Sequence, residues 1–215
     1  MKIAIFSESP TDEAALKILI EGILGEEIEE IPFPNHLRSR GSGVPRDVPF
    51  VLRAVYYNTE AEFLVVVRDS DDSPIHKKEH LEPNNKESEK CRLCDLRRKV
   101  NYALESLTPM AGKENFRVAV GVTVPSIEAW LLCGKNPFAS EATWINKQKE
   151  KGLSTYNDRQ NLKIELYGAA VTSREIMIER GTEAAKRLAE NIKQLEELFP
   201  EGYGEMANEI RDWKE

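Results

Sequence analysis

Four acids in this sequence stand where chemistry is done in many α/β proteins. Glu8 follows the apolar run 2–7, Asp69 and Asp71 follow the run 61–67, and Glu128 follows the run 116–122 after a short turn. Ligands of open α/β sheets sit beyond the carboxyl ends of the strands, so polar residues just past a buried strand are the first candidates for a site. Side chains alternate along an extended segment, and Asp69-x-Asp71 is therefore expected to turn two carboxylates to one side. Clustered carboxylates repel one another, a divalent cation relieves the repulsion, and hard oxygen ligands suit Mg²⁺ or Mn²⁺, the ions of phosphoryl transfer. Each acid also has an ordinary reading: a solvated turn for the Asp pair, a helix start for Glu8 and Glu128, a helix cap for Asp12. Arg68, beside the Asp pair, could neutralise a carboxylate with no metal at all.

A second set carries softer ligands. His76-x3-His80-x10-Cys91-x2-Cys94 gathers two of the three His and two of the three Cys within 19 residues. That is a zinc-site composition, able to pin a loop too polar to order itself. The competing reading makes both cysteines small core residues on one face of a helix that begins near Cys91. Basic residues flank both sets. Arg38, Arg40 and Arg46 lie in a Gly- and Pro-rich stretch, and Lys90, Arg92, Arg97 and Arg98 follow later. They are candidates for phosphate contacts, or for plain solvated charge.

The elements that must position these residues read as follows. A strand at 2–7 leads into a helix with Ser9 as cap, Pro10 in the first turn, Asp12 at the capping-box position and Gly25 as its end. A second strand is expected at 28–33, an open loop from Pro34 to Pro49, and a helix over 50–58. The run Ala61–Val67 has the pattern of a central strand covered on both faces. Residues 73–90 are expected to be irregular, 91–107 helical and 116–122 a strand, with a further helix opening at Pro125-Ser126. Past about 141 the spacing is helical or loop-like. Alternating strands and helices imply an α/β fold with a mostly parallel, Rossmann-like sheet flanked by helices and a helical C-terminal cap. The expected division is an α/β domain over 1–135 and a helical extension over 136–215 packed on it.

The chain has 215 residues, and 30 Lys and Arg against 37 Asp and Glu give a net charge of −7. That disfavours a protein that coats polyanions by bulk charge. The distribution is uneven: residues 35–53 and 86–99 are each +3, while residues 1–30 are −6. No stretch approaches the ~20 apolar residues of a membrane span, the start lacks the apolar length of a signal peptide, and an odd number of cysteines makes no disulfide framework. A cytoplasmic, reducing location is expected.

Ile3-Ala4-Ile5-Phe6-Ser7-Glu8-Ser9-Pro10-Thr11-Asp12-Glu13 resembles the first motif of the Toprim superfamily, and Val65-Val66-Val67-Arg68-Asp69-Ser70-Asp71 resembles its Asp-x-Asp motif. Ser126-Ile127-Glu128-Ala129-Trp130-Leu131-Leu132 is similar to the Glu-Ala-Trp signature of a bacterial and archaeal Toprim-like family, domain of unknown function 4276. The region around Leu162, Lys163, Leu166, Tyr167 and Gly168 is similar to that family's tail. Ser9 stands where the first motif usually has Gly. The resemblance implies a Mg²⁺- or Mn²⁺-dependent nuclease cleaving DNA or RNA, related to the overcoming-lysogenization-defect nucleases and often encoded beside an ATPase in phage-defence or repair clusters. By it, Glu8 would be the general acid/base or a metal ligand, Asp69, Asp71 and Glu128 metal ligands, and Lys163 the cation facing the transition-state phosphate. The alternative it leaves is a non-catalytic Toprim-like subunit that regulates an ATPase partner.

Overall fold

The computed structural model describes residues 1–32, 44–82, 85–152 and 154–214. Strand β1 (Lys2–Phe6) leads into helix α1 (Pro10–Leu24), and a two-residue strand β2 (Glu29–Glu30) and helix α2 (Val44–Asn58) follow. Strand β3 (Phe63–Asp69) precedes the one-turn helix α3 (Glu87–Lys90) and helix α4 (Arg92–Glu105). After strand β4 (Arg117–Thr123) come α5 (Ile127–Leu131), α6 (Glu141–Lys151), α7 (Tyr156–Tyr167), α8 (Arg174–Ala189), α9 (Ile192–Leu198) and α10 (Glu205–Arg211).

The four strands form one all-parallel sheet in the order β2-β1-β3-β4. Alternation along each strand feeds two cores. Ile3, Ile5, Phe63, Val65, Val67 and Ala119 join the layer of α1, α5, α8, α9 and α10, whereas Ala4, Phe6, Leu64, Val66, Val120 and Val122 join the layer of α2 and α4. A strand buried on both faces has no polar side to show, which is why β1 and β3 read as continuous apolar runs. The expected α/β sheet, flanked by helices and closed by a C-terminal helical cap, is what the structure has. The cap seats closely on the sheet: a Cβ on Gly202 would lie 2.2 Å from the Val122 carbonyl oxygen, and one on Gly121 2.6 Å from Met206 Sδ. Among the described residues, no helix is long and apolar enough to cross a membrane.

Several boundaries differ from expectation. The strand expected at 28–33 is reduced to Glu29–Glu30, both exposed at a sheet edge that carries four Glu between residues 26 and 30. Charged side chains blunt an edge strand and keep it short. Helix α2 starts at Val44, so the end of the expected open loop is helical. Pro45 suits a first turn, and Pro49, inside the helix, forgoes one hydrogen bond while the buried Val48, Val51, Leu52 and Val55 hold it in place. Strand β3 runs two residues past Val67, because Arg68 pairs in register with Val122 and Asp69 with Thr123.

Candidate functional site

The strand order changes direction between β1 and β3, and in sheets of this order the crevice at that switch lies beyond the strands' carboxyl ends. Glu8 and Asp69 stand at those two ends. Their surroundings are acidic: burial first, then Glu128 and Glu8, push the Asp69 carboxyl up to about 8. Burial, then Asp69, Glu128 and Glu8, hold Asp12 well above the usual carboxylate range. Glu8 is raised by burial and by Asp71, against the pull of Arg68 and Arg92. Four carboxylates thus sense one another across three segments of chain.

Asp12 was readable as a capping residue, and the structure gives it another setting. Ser9 does cap α1, its Oγ accepting from Thr11 N, but the Ser9 amide donates to Ser7 Oγ rather than to an acid three residues on. Asp12 is left facing Asp69 and Glu128.

Asp69 and Asp71 part company. Asp71 has a φ of 45°, in the left-handed region, which ends the extended alternation expected of the Asp-x-Asp segment. Asp69 Oδ1 accepts from Thr123 Oγ1 at 2.6 Å and from Ile127 N at 3.1 Å, fixing it over β4 and the start of α5. Asp71 turns to two guanidinium groups instead, bonding Arg92 through Oδ2 and Arg159 through Oδ1. Arg92 also donates to the Asp69 carbonyl oxygen at 2.8 Å. Arg68 lies 3.7 Å from Glu8 Oε1, and that oxygen and Arg68 Nε are both buried without a hydrogen-bond partner. Glu128 accepts from Ser126 Oγ at 2.6 Å.

Helix α7 supplies a face to this site. Asp72 accepts from Thr155 N and Oγ1 at 2.7 and 2.9 Å and so tethers the start of the helix. Arg159 and Tyr167 lie on one i, i+4, i+8 row of it, Arg159 on Asp71 and Tyr167 beside Glu128, Asp12 and Asp69, whose charges raise its hydroxyl pKa after burial. Lys163 occupies the middle of that row, on the side of the helix that meets the acids. Sequence spacing alone had not marked Arg159, although its place four residues before Lys163 was the available signal. Of the remaining basic candidates, Arg38 and Arg40 lie outside the described residues, and Arg46 falls in the first turn of α2. Arg97 is engaged by Glu209 at 2.8 Å and Glu205 at 3.7 Å.

The second set converges more tightly. His76, His80, Cys91 and Cys94 are all buried, and one ligand atom from each lies within 4.8 Å of the others; the group could hold a metal ion. Among the described residues it is the one such grouping, and the strand-end carboxylates do not close up to the same extent. His76 Nδ1 is 3.5 Å from Cys91 Sγ and 3.4 Å from Cys94 Sγ. Neither ring nitrogen of His80 has a hydrogen-bond partner, although Nε2 stands 3.4 Å from Glu87 Oε2. Burial, then Arg97 and His80, lower His76 to about 4, so its imidazole is neutral. Both cysteines do sit in the core beneath α4, as the ordinary reading had it, and they face the two histidines as well.

The chain matches no protein-family model, no curated protein and no solved structure. Fold and site together define a parallel α/β protein with acids and arginines gathered at its strand ends and a separate His/Cys cluster that shares the loop after β3.

Proposed function

We propose that this chain is a Toprim-like phosphodiesterase that uses Mg²⁺ or Mn²⁺ to hydrolyse DNA or RNA. The observation that carries the reading is the gathering of Glu8, Asp12, Asp69 and Glu128 at the ends of parallel strands, with Asp69 driven up to about 8 by the other acids and by burial. Crowded, partly buried carboxylates arranged at mutual cost suit a site whose missing charge comes from a cation. The donor set is all hard oxygen, and Glu8 Oε1 is buried without a hydrogen-bond partner, 3.7 Å from Arg68, so in this reading Glu8, Asp12, Asp69 and Glu128 would draw together around the ion. Bound there, a divalent cation lowers the pKa of a water and offsets charge on a phosphoryl oxygen. Asp71 fits a different role, since both its oxygens are held by arginine. It holds Arg92 and Arg159 at the rim of the crevice, where guanidinium groups bond phosphate oxygens in pairs. Lys163, between Arg159 and Tyr167 on the same helix row, adds a third cation for the phosphate.

The same arrangement supports a second reading. The Asp71 ion pairs and Arg68 beside Glu8 neutralise part of the acidity without a metal, as a non-catalytic subunit regulating an ATPase would allow. The His/Cys cluster is proposed to take Zn²⁺ in either case. Zn–S bonds of about 2.3 Å and Zn–N bonds of about 2.0–2.1 Å at tetrahedral angles separate N from S by about 3.6 Å, close to the 3.4 and 3.5 Å found around His76.

Incubating the protein with plasmid, single-stranded DNA and tRNA in Mg²⁺ or Mn²⁺ tests the main reading. Asp69→Ala is expected to cut cleavage at least about a hundredfold while the fold persists by circular dichroism, a loss typical of removing a group that stabilises transition-state charge. Cleavage that survives in the variant refutes the site, and no cleavage by wild type under any condition selects the regulatory subunit.

A further inference from the structure

The two clusters are joined through one loop and one helix start. His76 follows Asp71 and Asp72 on the loop that leaves β3, and Cys91 caps α4 immediately before Arg92. Arg92 crosses back to Asp71 and to the Asp69 carbonyl oxygen. A metal shared by His76 and Cys91 would therefore close a small ring: loop, ion, helix start, guanidinium, loop. We propose that Zn²⁺ on His76, His80, Cys91 and Cys94 is a positioning clip that fixes Arg92 against the Asp69–Asp71 loop, so that zinc occupancy sets the geometry of the phosphate-facing rim of the crevice.

Three observations carry this beyond the composition of the cluster. His80 is 4% exposed and both its ring nitrogens lack a hydrogen-bond partner, a costly state that a bound ion would relieve at one nitrogen. Binding by two imidazoles and two thiolates, the thiol protons leaving to water, cancels the ion's charge and suits a site inside the α2–α4 core. The segment between the two ligand pairs is short of structure of its own: it holds a 3₁₀ turn at Lys78–Leu81, the single turn α3 and exposed Lys and Glu side chains.

On the other side Arg159, delivered by α7, takes the second oxygen of Asp71. Asp71 is thus clamped between a helix placed by the cap and a helix placed by the metal. The clip does not require that the crevice be catalytic. Its consequence for phosphate contacts does rest on the phosphodiesterase reading, so the test is made on zinc itself.

Binding couplings are reciprocal: if zinc holds the Arg92–Asp71 bridge, the bridge holds zinc. Zinc content is measured after dialysis against a chelator, and zinc transfer to a chromophoric chelator is followed in wild type, Arg92→Ala, Asp71→Asn, the double variant and Lys99→Ala, a control on α4 whose side chain bonds Asp95 rather than Asp71. Wild type is expected to keep about one zinc per chain. Arg92→Ala and Asp71→Asn should each speed its transfer about five- to tenfold, the double variant no more than either, and the control should behave as wild type, because two halves of one bridge are not additive. Hydrogen exchange on unsubstituted protein gives a second readout: zinc removal should quicken exchange in 70–77 and the first turn of α4 and leave β1, β3 and β4 as they were. A wild-type transfer rate in Arg92→Ala, or acceleration spread evenly over the sheet, overturns the clip. Wild type without zinc overturns the zinc site as well, while loss of cleavage activity alone bears only on the crevice.

Discussion

The strand-end carboxylates and the His/Cys cluster share the loop that follows β3, yet they treat buried polarity in opposite ways. The carboxylates are crowded with like charge and lean on Arg68, Arg92 and Arg159 at their edges. In the His/Cys group, two thiolates would offset the charge of a bound Zn²⁺. One region gathers like charge at the strand ends; the other gathers four buried ligand atoms that could hold a metal ion. Functional sites are commonly held at the expense of stability, and structural metals commonly repay it elsewhere in the fold.

The largest effect expected from this difference comes from the cluster. Cys91→Ser with Cys94→Ser should lower stability by about 3–5 kcal/mol, which for a chain of this size shifts the melting temperature by roughly 10 °C. Wild type stripped of zinc should melt at nearly the temperature of the double variant. Scanning calorimetry on the three samples decides it: stripped wild type melting with untreated wild type, and only the double variant lower, would place these cysteines in the core as plain apolar residues and end the comparison.

Next comes the opposite sign at the carboxylates. Asp69→Asn keeps shape and the acceptor that meets Thr123 and Ile127 but removes charge from among Glu8, Asp12 and Glu128. In Mg²⁺-free buffer near neutral pH it is expected to stabilise the fold by about 1–3 kcal/mol, since Asn escapes the cost that burial and the neighbouring acids place on the carboxyl. Urea unfolding of variant and wild type measures it, and a destabilised variant would mean the acids are not at mutual cost. The same substitution should abolish metal-dependent cleavage, which separates stability from activity at a single residue.

How much of this could be read from sequence follows from which forces are local. The runs at β1, β3 and β4 announce themselves because strands covered on both faces must be apolar throughout, and α1 is bounded by Ser9, Pro10 and Gly25, whose effects act within a turn. The acids at strand ends follow once those strands are recognised. Asp12 hid behind a local pattern that a cap would also satisfy, and only the placement of α1 over β1 and β3 shows what it faces. Asp71 hid because it sits in a left-handed turn closed by Ser73 N on the Ser70 carbonyl, and its partners Arg92 and Arg159 come from helices further along the chain. His76, His80, Cys91 and Cys94 were legible by composition, whereas their convergence depended on where α4 begins. The short β2 lies at the edge of the described sheet, and its edge position is not encoded by local spacing.

The smallest effect comes from Glu141, a buried carboxylate that serves as a control for the crowded ones. It is 2% exposed and accepts from Gly202 N at 2.6 Å and Glu201 N at 3.0 Å, donors that favour its charged form. Burial outweighs them and raises the carboxyl to about 7, with only Glu201 adding repulsion. A folded pKa above the unfolded value means the unfolded chain gives up its proton first as pH rises. Stability from this group is therefore whole below about 4.5, declines between about 4.5 and about 7, and stays level above that. The decline should amount to about 1–2 kcal/mol, allowing for relaxation around the ionised group, and Glu141→Gln should flatten that part of the curve. Urea unfolding from pH 4.5 to 8 in zinc-loaded, Mg²⁺-free protein measures it. If the slope persists unchanged in Glu141→Gln, the whole decline belongs to the strand-end acids, and backbone donors are enough to keep a lone buried carboxylate ionised where a cluster of four is not.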